Sequence, residues 1–198
     1  LETEDFTLSI SGGSATLGST NPTAITKDTP TFSAATIDNN LSGAQGLQLA
    51  DLDFDGDVDI IACGKSGNDL NWYESDGSGS YTERSIDLNL SGAQGLAIND
   101  IDGDGDLDIF ATARDGNQVA LYTNNGSQSF TKTVIDSDLS QPHHVECTDL
   151  NDDGYMDLIA TGRTSDEIIW YSNDGSQNFT ENVLRDDLNG AITFFISD

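Results

Sequence analysis

Apolar residues recur along the chain in short runs that are separated by polar, glycine-rich segments. The run Ile60–Cys63 contains β-branched and small apolar residues and lies between an aspartate and a glycine, which is typical of a buried strand. Equivalent runs follow at residues 109–112 and 158–161, so each run begins 49 residues after the last. The chain is therefore built from a repeated unit.

Each unit carries four strand signals, which in the first copy fall near residues 47–50, 58–63, 69–74 and 80–86. They are joined by an aspartate-rich loop, a glycine-rich loop and an Asp-Gly or Asn-Gly turn, which suits a hairpin. A Gly-Ala-Gln-Gly segment connects one unit to the next, and recurring aromatic residues such as Trp72-Tyr73 are interpreted as core between units. Four antiparallel strands per unit predict an all-β fold made of β-propeller blades, with three full blades plus partial blades at both ends.

The period also sets the expected domain organisation. We expect an N-terminal extension or partial blade at residues 1–36, repeats at 37–85, 86–134 and 135–183, and the start of a truncated fourth repeat at 184–198. Near the two ends, Phe32–Ile37 aligns with an outermost strand and Ala191–Ser197 with an innermost one. Residues 1–28 match no repeat and are typical of an edge strand followed by a linker.

Three blades do not close a ring, because propellers have about four to eight. Open blades leave strand edges that invite association. The remaining blades are expected from further sequence of the same polypeptide, from another chain or from open stacking of repeats. We favour a segment of a longer repeat chain, and the lack of an initiator Met predicts a processed product or a fragment.

A nine-residue segment rich in aspartate precedes the second strand of every unit. The three copies read DLDFDGDVD at 51–59, DIDGDGDLD at 100–108 and DLNDDGYMD at 149–157. Carboxylates at this density repel one another unless a cation lies among them. Oxygen ligands at alternate positions indicate calcium, and three copies in register favour a metal site over an acidic turn without an ion.

Two further positions refine this interpretation. Position seven of the loop changes from aspartate to Tyr155 in the third copy, as expected if this residue offers only its backbone carbonyl. Position twelve is Ala62, Ala111 or Ala160, and a strand rather than a helix follows. An EF-hand needs a glutamate at position twelve and flanking helices, so it is excluded.

The complete pattern resembles the FG-GAP/VCBS repeat. It consists of Asp-x-Asp-x-Asp-Gly-x-x-Asp, an aliphatic strand and then Trp-Tyr-x-x-Asp-Gly-Ser-x-x-Tyr/Phe-Thr, and the resemblance covers roughly residues 32–198. That family includes the calcium-binding blades of integrin α-subunit propellers and many secreted bacterial surface proteins. The resemblance implies three Ca²⁺ sites in this chain, and Asn151 in place of an aspartate implies weaker binding at the third.

The ligands that the resemblance implies are side-chain oxygens at positions one, three, five and nine, together with the carbonyl of position seven. In the first loop these are Asp51, Asp53, Asp55 and Asp59, with the carbonyl of Asp57. In the second they are Asp100, Asp102, Asp104 and Asp108, with the carbonyl of Asp106. In the third they are Asp149, Asn151, Asp153 and Asp157, with the carbonyl of Tyr155.

Charge narrows the choice of partner. The net charge is −28, with only 7 Lys and Arg residues. Nucleic acid and anionic membrane surfaces need basic partners and are excluded, and no apolar run is long enough for membrane insertion. A surface this acidic is typical of proteins in a saline, calcium-rich exterior, and we expect an extracellular or cell-surface location.

The two cysteines, Cys63 and Cys147, lie on different strands of non-adjacent blades and are expected to be unpaired.

The sequence leaves three functions open. The first is a secreted adhesion or ligand-binding propeller, because loops on a rigid scaffold make good binding sites for a glycan or protein. The second is a calcium-stabilised structural repeat of a fibre or stalk, and the third is a fragment of a propeller-type polysaccharide lyase. His143, His144 and Arg163 are the basis of the third, but no catalytic or organic-cofactor residues are assigned and we expect no enzyme. The divergent Gln141-Pro-His-His144 segment favours a binding face in the third unit.

Overall fold

The computed structural model describes residues 7–10, 13–16 and 35–196. The chain divides into two compact units, Leu1–Thr36 and Ile37–Asp198. In the first unit, β1 (Thr7–Ile10) pairs in antiparallel fashion with β2 (Gly13–Thr16), so the predicted edge strand is one half of a hairpin. Half of the predicted strand Phe32–Ile37 lies outside the described residues, and residues 35–37 belong to no strand.

The second unit consists of three four-stranded antiparallel sheets, each in the order of the sequence. Blade one comprises β3 (Ala44–Ala50), β4 (Asp59–Gly64), β5 (Asp69–Ser75) and β6 (Tyr81–Asp87). Blade two comprises β7 (Ala93–Asn99), β8 (Asp108–Ala113), β9 (Gln118–Asn124) and β10 (Phe130–Asp136). Blade three comprises β11 (Pro142–Thr148), β12 (Asp157–Gly162), β13 (Glu167–Asn173) and β14 (Phe179–Arg185). The prediction of an all-β fold with three antiparallel blades is confirmed. No helix among the described residues is long and apolar enough to cross a membrane.

The core lies between neighbouring blades. Successive residues of a strand point to opposite faces, so each blade contributes to two cores. In β8, Ile109 and Ala111 pack into the core shared with blade one, whereas Phe110 packs into the core shared with blade three. Tyr122 and Tyr171 are buried in these two cores, as the recurring aromatic positions predict.

Two repeated hydrogen bonds tie each blade to the next. Tyr122 Oη donates to Asp87, at the end of the preceding outer strand, over 2.7 Å, and Tyr171 donates in the same way to Asp136. The residue before the third strand of a blade has a left-handed backbone, with φ of 63° at Asn68. Its side-chain oxygen accepts the N–H of Gly92 at 2.8 Å. The same structure recurs at each link because the sequence repeats it.

The segment after β14 follows the same path as the earlier links and then departs from the prediction. Asp166 accepts the N–H groups of Leu188 and Gly190, as Asn68 does for Leu90 and Gly92. Residues 191–196 nevertheless form no strand, so the predicted inner strand at Ala191–Ser197 is wrong for the part that the structure describes. An inner strand forms its ladder with the second strand of its own blade, and the 198 residues do not reach such a strand.

Both cysteines are unpaired, as predicted. Cys63 lies at the position that Thr112 and Thr161 occupy in the other blades, and its thiol donates to the carbonyl of Gln94 at 3.5 Å. Thr112 and Thr161 donate to the corresponding carbonyls of the next unit. Burial raises the pKa of Cys63 to about 11 and also raises that of Cys147, so neither thiol is a ready nucleophile.

Candidate metal centres and axial cavity

The aspartate at position nine holds each acidic loop to its blade. Asp59, Asp108 and Asp157 open the second strands and are fully buried. In each copy one carboxylate oxygen accepts the N–H of loop position two at 3.1 Å. The other accepts the N–H of the last residue of the third strand at 2.8 Å. This side chain therefore fixes both ends of the loop against the sheet.

The rest of the loop folds around the carboxylate at position one. Asp51 accepts the backbone N–H groups of Asp55 and Gly56 at 3.1 and 3.0 Å. The residue at position six has a φ of +100°, +95° or +91° in the three loops, which only glycine adopts without strain, and it is glycine in every copy. Position four is also left-handed, as Phe54, Gly103 and Asp152. These turns bring the backbone close to the carboxylates.

Positions one, three and nine converge in the first two loops. One carboxylate oxygen from each of Asp51, Asp53 and Asp59 lies within 4.8 Å of the other two. Asp100, Asp102 and Asp108 form the same group in the second loop. In the third loop Asn151 supplies an amide at position three, and its oxygen accepts the N–H of Asp153 at 3.0 Å, as the carboxylates do in the other copies. The oxygens in these loops could hold a hard divalent cation.

The electrostatics of the second loop fit a cation. Burial raises the pKa of the Asp108 carboxyl to about 6; the charges of Asp102 and Asp104 add to the rise, and two backbone hydrogen bonds oppose it. Burial also raises the pKa of Asp102 and of Asp53 in the first loop, again with support from neighbouring carboxylates. A bound divalent cation would reverse the repulsion among these groups.

Positions five and seven lie outside the converging groups. Asp55, Asp104 and Asp153 are exposed, and each accepts the N–H of position seven at 2.9 Å. The side chains at position seven lie against the turn glycines Gly77, Gly126 and Gly175, so closely that an added Cβ there would collide with them. Because the side chain at position seven is not among the converging oxygens, Tyr155 can replace aspartate there. Sequence reasoning missed one role: the aspartate at position nine closes the loop through two backbone bonds besides offering oxygen to a metal.

A second feature lies between the inner strands β3, β7 and β11. Their first residues surround a cavity of about 300 Å³ whose walls include Gln45, Gln94 and His143. Gln94 Nε2 donates to Gln45 Oε1 at 2.7 Å, so the two amides form a chain across neighbouring blades. The imidazole of His144 also lines the cavity, and it bonds Glu146 at 3.0 Å and meets the ring of Phe194 edge-on.

Three basic residues occupy one position of the repeat. Lys65, Arg114 and Arg163 directly follow the second strands of the three blades, 49 residues apart. Burial lowers the pKa of His143, and the charges of Arg163, Arg114, His144 and Lys65 lower it further. Sequence reasoning singled out Arg163 but not the set. Its signal was the recurrence of a cation at one repeat position in a chain that has 7 Lys and Arg residues.

One solved structure supports the blade architecture, and two others match with lower TM-scores. A chain of the nidogen/laminin complex matches with 17% identity and a TM-score of 0.52, over 76% of this chain and 51% of that one. A streptogramin B lyase structure gives 20% identity and a TM-score of 0.49, over 74% and 42%. Virginiamycin B lyase from Staphylococcus aureus gives 19% identity and a TM-score of 0.47, over 72% and 42%. The chain thus spans about half the length of these proteins or less. At identities this low, the similarity concerns the fold alone. No curated protein matched.

The family is shown by the repeat itself. The model of the FG-GAP-like repeat matches residues 51–111 and again residues 100–160, so that the two matches together cover more than half of the chain. Each match starts at position one of an acidic loop and ends in the second strand of the following blade. The chain belongs to the FG-GAP-like repeat family.

Proposed function

We propose that this chain is a calcium-binding propeller segment that acts outside the cell and presents a binding face for a glycan or protein ligand. The observation that carries the proposal is the repetition of one loop geometry in three blades, with carboxylate oxygens of the first two loops within 4.8 Å of one another. Each Ca²⁺ would be held by the side chains of positions one, three and nine, which converge in the first two loops. The side chain of position five and the carbonyl of position seven, which lie outside these groups, would complete its coordination. The ion would supply charge neutralisation, not reaction chemistry.

The protein's own groups define what calcium would do here. Position nine already joins each loop to the second and third strands through backbone bonds, so a cation at the same carboxylate would stiffen the hairpin that carries it. Stiff blades hold the remaining loops in place, which is what a binding surface needs. A net charge of −28 favours an exterior rich in divalent cations.

Calorimetric titration of the 198-residue chain with Ca²⁺ tests this proposal. We expect three binding events, and the double variant Asp51→Asn/Asp53→Asn should lose one of them. Asp186→Asn removes an exposed carboxylate outside the loops and should keep all three. A titration that shows no uptake of Ca²⁺, or equal uptake by the loop variant and the control, would refute calcium binding at these loops.

A comparison of end and middle blades supports self-association. Leu47 of β3 is 58% exposed, whereas the equivalent Leu96 of β7 is 5% exposed because blade one covers it. Leu49 is exposed as well. We propose that another blade of the same repeat covers this face. For this chain alone, the covering blade comes from a second copy.

Sedimentation velocity tests the covered face. The wild-type chain should sediment as a dimer or larger species, and Leu47→Gln/Leu49→Gln should shift it toward a monomer of 21.1 kDa. Leu88→Gln changes an equally exposed leucine outside the strands and should leave the assembly intact. A wild-type monomer at all concentrations would refute the proposal.

A further inference from the structure

The second acidic loop makes a contact with the neighbouring blade that its own internal hydrogen bonds do not explain. At position three, Oδ1 of Asp53, Asp102 and Asn151 accepts the N–H two residues further on, at 3.3, 3.2 and 3.0 Å. The other carboxylate oxygen of Asp102 accepts a hydrogen bond from Nε2 of Gln177 at 2.9 Å. Asp102 belongs to blade two and Gln177 to blade three, so this carboxylate is held from both sides of the blade boundary.

A well-fixed turn places Gln177. The turn joins β13 to β14, and Oδ1 of Asp174 accepts the N–H groups two and four residues further on, at 2.8 and 3.2 Å. Gln177 itself has a left-handed backbone, with φ of 58°. Two residues later the ring of Phe179 meets that of Phe110 in blade two edge-on, with 6.2 Å between the centroids. The turn is therefore fixed within blade three and also against blade two.

Both ends of the Gln177 amide have partners in blade two. Its Oε1 accepts a hydrogen bond from the Thr123 hydroxyl at 3.4 Å, and its Nε2 donates to Asp102. An ionised carboxylate only accepts hydrogen bonds, so the NH₂ group of the amide faces Asp102. Thr123 directly precedes Asn124, whose N–H donates to Asp108 of the same loop. The amide thus joins the second loop to the strand that closes it.

The equivalent turn of blade two carries the same residue type without this contact. Gln128 lies 49 residues before Gln177 and has a similar φ of 54°. It is exposed and its side chain makes no hydrogen bond within residues 35–196, whereas Gln177 is half-buried. Gly79 occupies this position in blade one. The backbone of the turn alone therefore does not produce the contact with an acidic loop.

We propose that Gln177 is a positioning residue for calcium at the second loop. Asp102 is one of the three carboxylates that converge there, together with Asp100 and Asp108. Gln177 holds one oxygen of Asp102, which fixes the orientation of a carboxylate that would bind the ion. Outer hydrogen bonds of this kind orient metal ligands, and their loss commonly weakens metal binding about 10- to 100-fold. The inference deepens the proposed calcium-binding function and rests on it.

The three loops would then differ in affinity. The first and second loops carry five aspartates each, so their own carboxylates do not distinguish them. The second oxygen of Asp53 in the first loop has no partner within residues 35–196. The third loop offers the neutral amide of Asn151 at this position. We therefore expect the second loop to bind calcium most tightly.

Calorimetric titration of the full chain with CaCl₂ tests the role of Gln177 in two backgrounds, each of which leaves one loop intact. The second-loop background carries Asp51→Asn, Asp55→Asn, Asp149→Asn and Asp153→Asn. The first-loop background carries Asp100→Asn, Asp104→Asn, Asp149→Asn and Asp153→Asn. Gln177→Ala should weaken calcium binding about tenfold or more in the second-loop background and change it less than about twofold in the first-loop background. The matched control Gln128→Ala removes the same side chain at the same backbone geometry and should stay within about twofold in both.

The variant Gln177→Glu separates positioning of a metal ligand from ordinary packing between blades. In EDTA the new carboxylate repels Asp102, so the melting temperature should fall below that of the wild type. Calcium at the second loop would relieve this repulsion. The rise in melting temperature on adding calcium should thus be larger than that of the wild type for Gln177→Glu and smaller for Gln177→Ala. A contact that serves only packing would leave this rise equal in all three proteins.

The outcomes distinguish this inference from the proposed function. If Gln177→Ala binds calcium as tightly as its parent in the second-loop background, or if Gln128→Ala weakens binding equally, the positioning role is wrong and calcium binding stands. Equal weakening by Gln177→Ala in both backgrounds indicates a general loss of structure and also overturns the positioning role. If neither background takes up calcium, the proposed calcium-binding function fails together with the inference.

Discussion

The two ends of the inner strands differ in charge and in how closely the three blades agree. At one end lie the acidic loops, where the same hydrogen bonds recur in every blade at nearly the same lengths. At the other end, about 20 Å away along a seven-residue strand, lies the axial cavity. There the equivalent residues are Gln45, Gln94 and His143. The residues of the acidic end repeat, and those of the axial end vary.

The difference follows from what the side chains bond. In the acidic loops they accept backbone N–H groups, so a change of residue leaves a buried donor without a partner. At the axis, Gln45, Gln94 and His143 line a cavity, and their side chains bond no backbone group within the described residues. Folding therefore constrains the residues of the acidic end and leaves Gln45, Gln94 and His143 at the axial end free to vary.

Removal of calcium should produce the largest effect. Each proposed site would add about 2.7 kcal/mol to the free energy of unfolding when free calcium is a hundredfold above its Kd. Thermal unfolding in EDTA should therefore begin well below its temperature in calcium, and added calcium should restore it. Equal melting temperatures in EDTA and in calcium would mean that the acidic end owes its repetition to hydrogen bonding alone.

A pair of substitutions in the second loop separates hydrogen bonding from metal binding. Asp108→Ala removes the acceptor of two buried backbone N–H groups and should cost roughly 3 kcal/mol or more, in EDTA as well as in calcium. Asp102→Ala removes an exposed carboxylate and should matter mainly when calcium is present. Urea unfolding of both variants in the two buffers measures this. A cost of Asp108→Ala that vanishes in EDTA would contradict the structural role of position nine.

Hydrogen bonds that recur from blade to blade are also found outside the acidic loops, between neighbouring blades. Tyr122→Phe removes the hydrogen bond to Asp87 and should lower the free energy of unfolding by about 1.5 kcal/mol. Lys132 still pairs with Asp87, which keeps the loss moderate. Tyr81→Phe is the matched control, because its hydroxyl makes no hydrogen bond within the described residues, and it should change little. Equal losses of unfolding free energy in the two variants would show that the recurring bond between blades does not stabilise the fold.

The repeat could be predicted from sequence because its residues act locally. The third strand was expected at 69–74 and is Asp69–Ser75, and the acidic loops have the turns that their glycines require. The first strand was expected at 47–50 but begins at Ala44. Gly46 led to the prediction that this segment connects two units. A glycine is needed at this position because the inner strands pack closely, and an added Cβ would meet the Gln94 carbonyl at 2.8 Å.

The axial cavity could not be predicted in the same way. It depends on how three inner strands from different blades approach one another, which no local pattern encodes. Lys65, Arg114 and Arg163 recur at one repeat position, but only the fold shows that their N–H groups bond the carbonyls just before the inner strands. The covering of blade three by residues 188–196 also depends on tertiary structure, since Thr161 bonds the carbonyl of Ile192 without a strand forming.

The smallest effect on stability is expected from His143→Gln, which places at the axis the residue that the other two blades carry. His143 holds no backbone group through its side chain, so the free energy of unfolding at pH 7.5 should change by less than about 0.5 kcal/mol. Burial and the charges of Arg163, Arg114, His144 and Lys65 hold the pKa of His143 below its usual 6.5. The unfolded chain therefore binds the proton more readily, and the wild-type protein should lose stability as the pH falls below about 6.5 toward the lowered pKa. His143→Gln should lose less over that window, whereas Tyr81→Phe should follow the wild type. Urea unfolding at several pH values measures both variants. A large loss of unfolding free energy in His143→Gln at pH 7.5 would show that His143 stabilises the fold. The two ends of the inner strands would then not differ in how strongly folding constrains their residues.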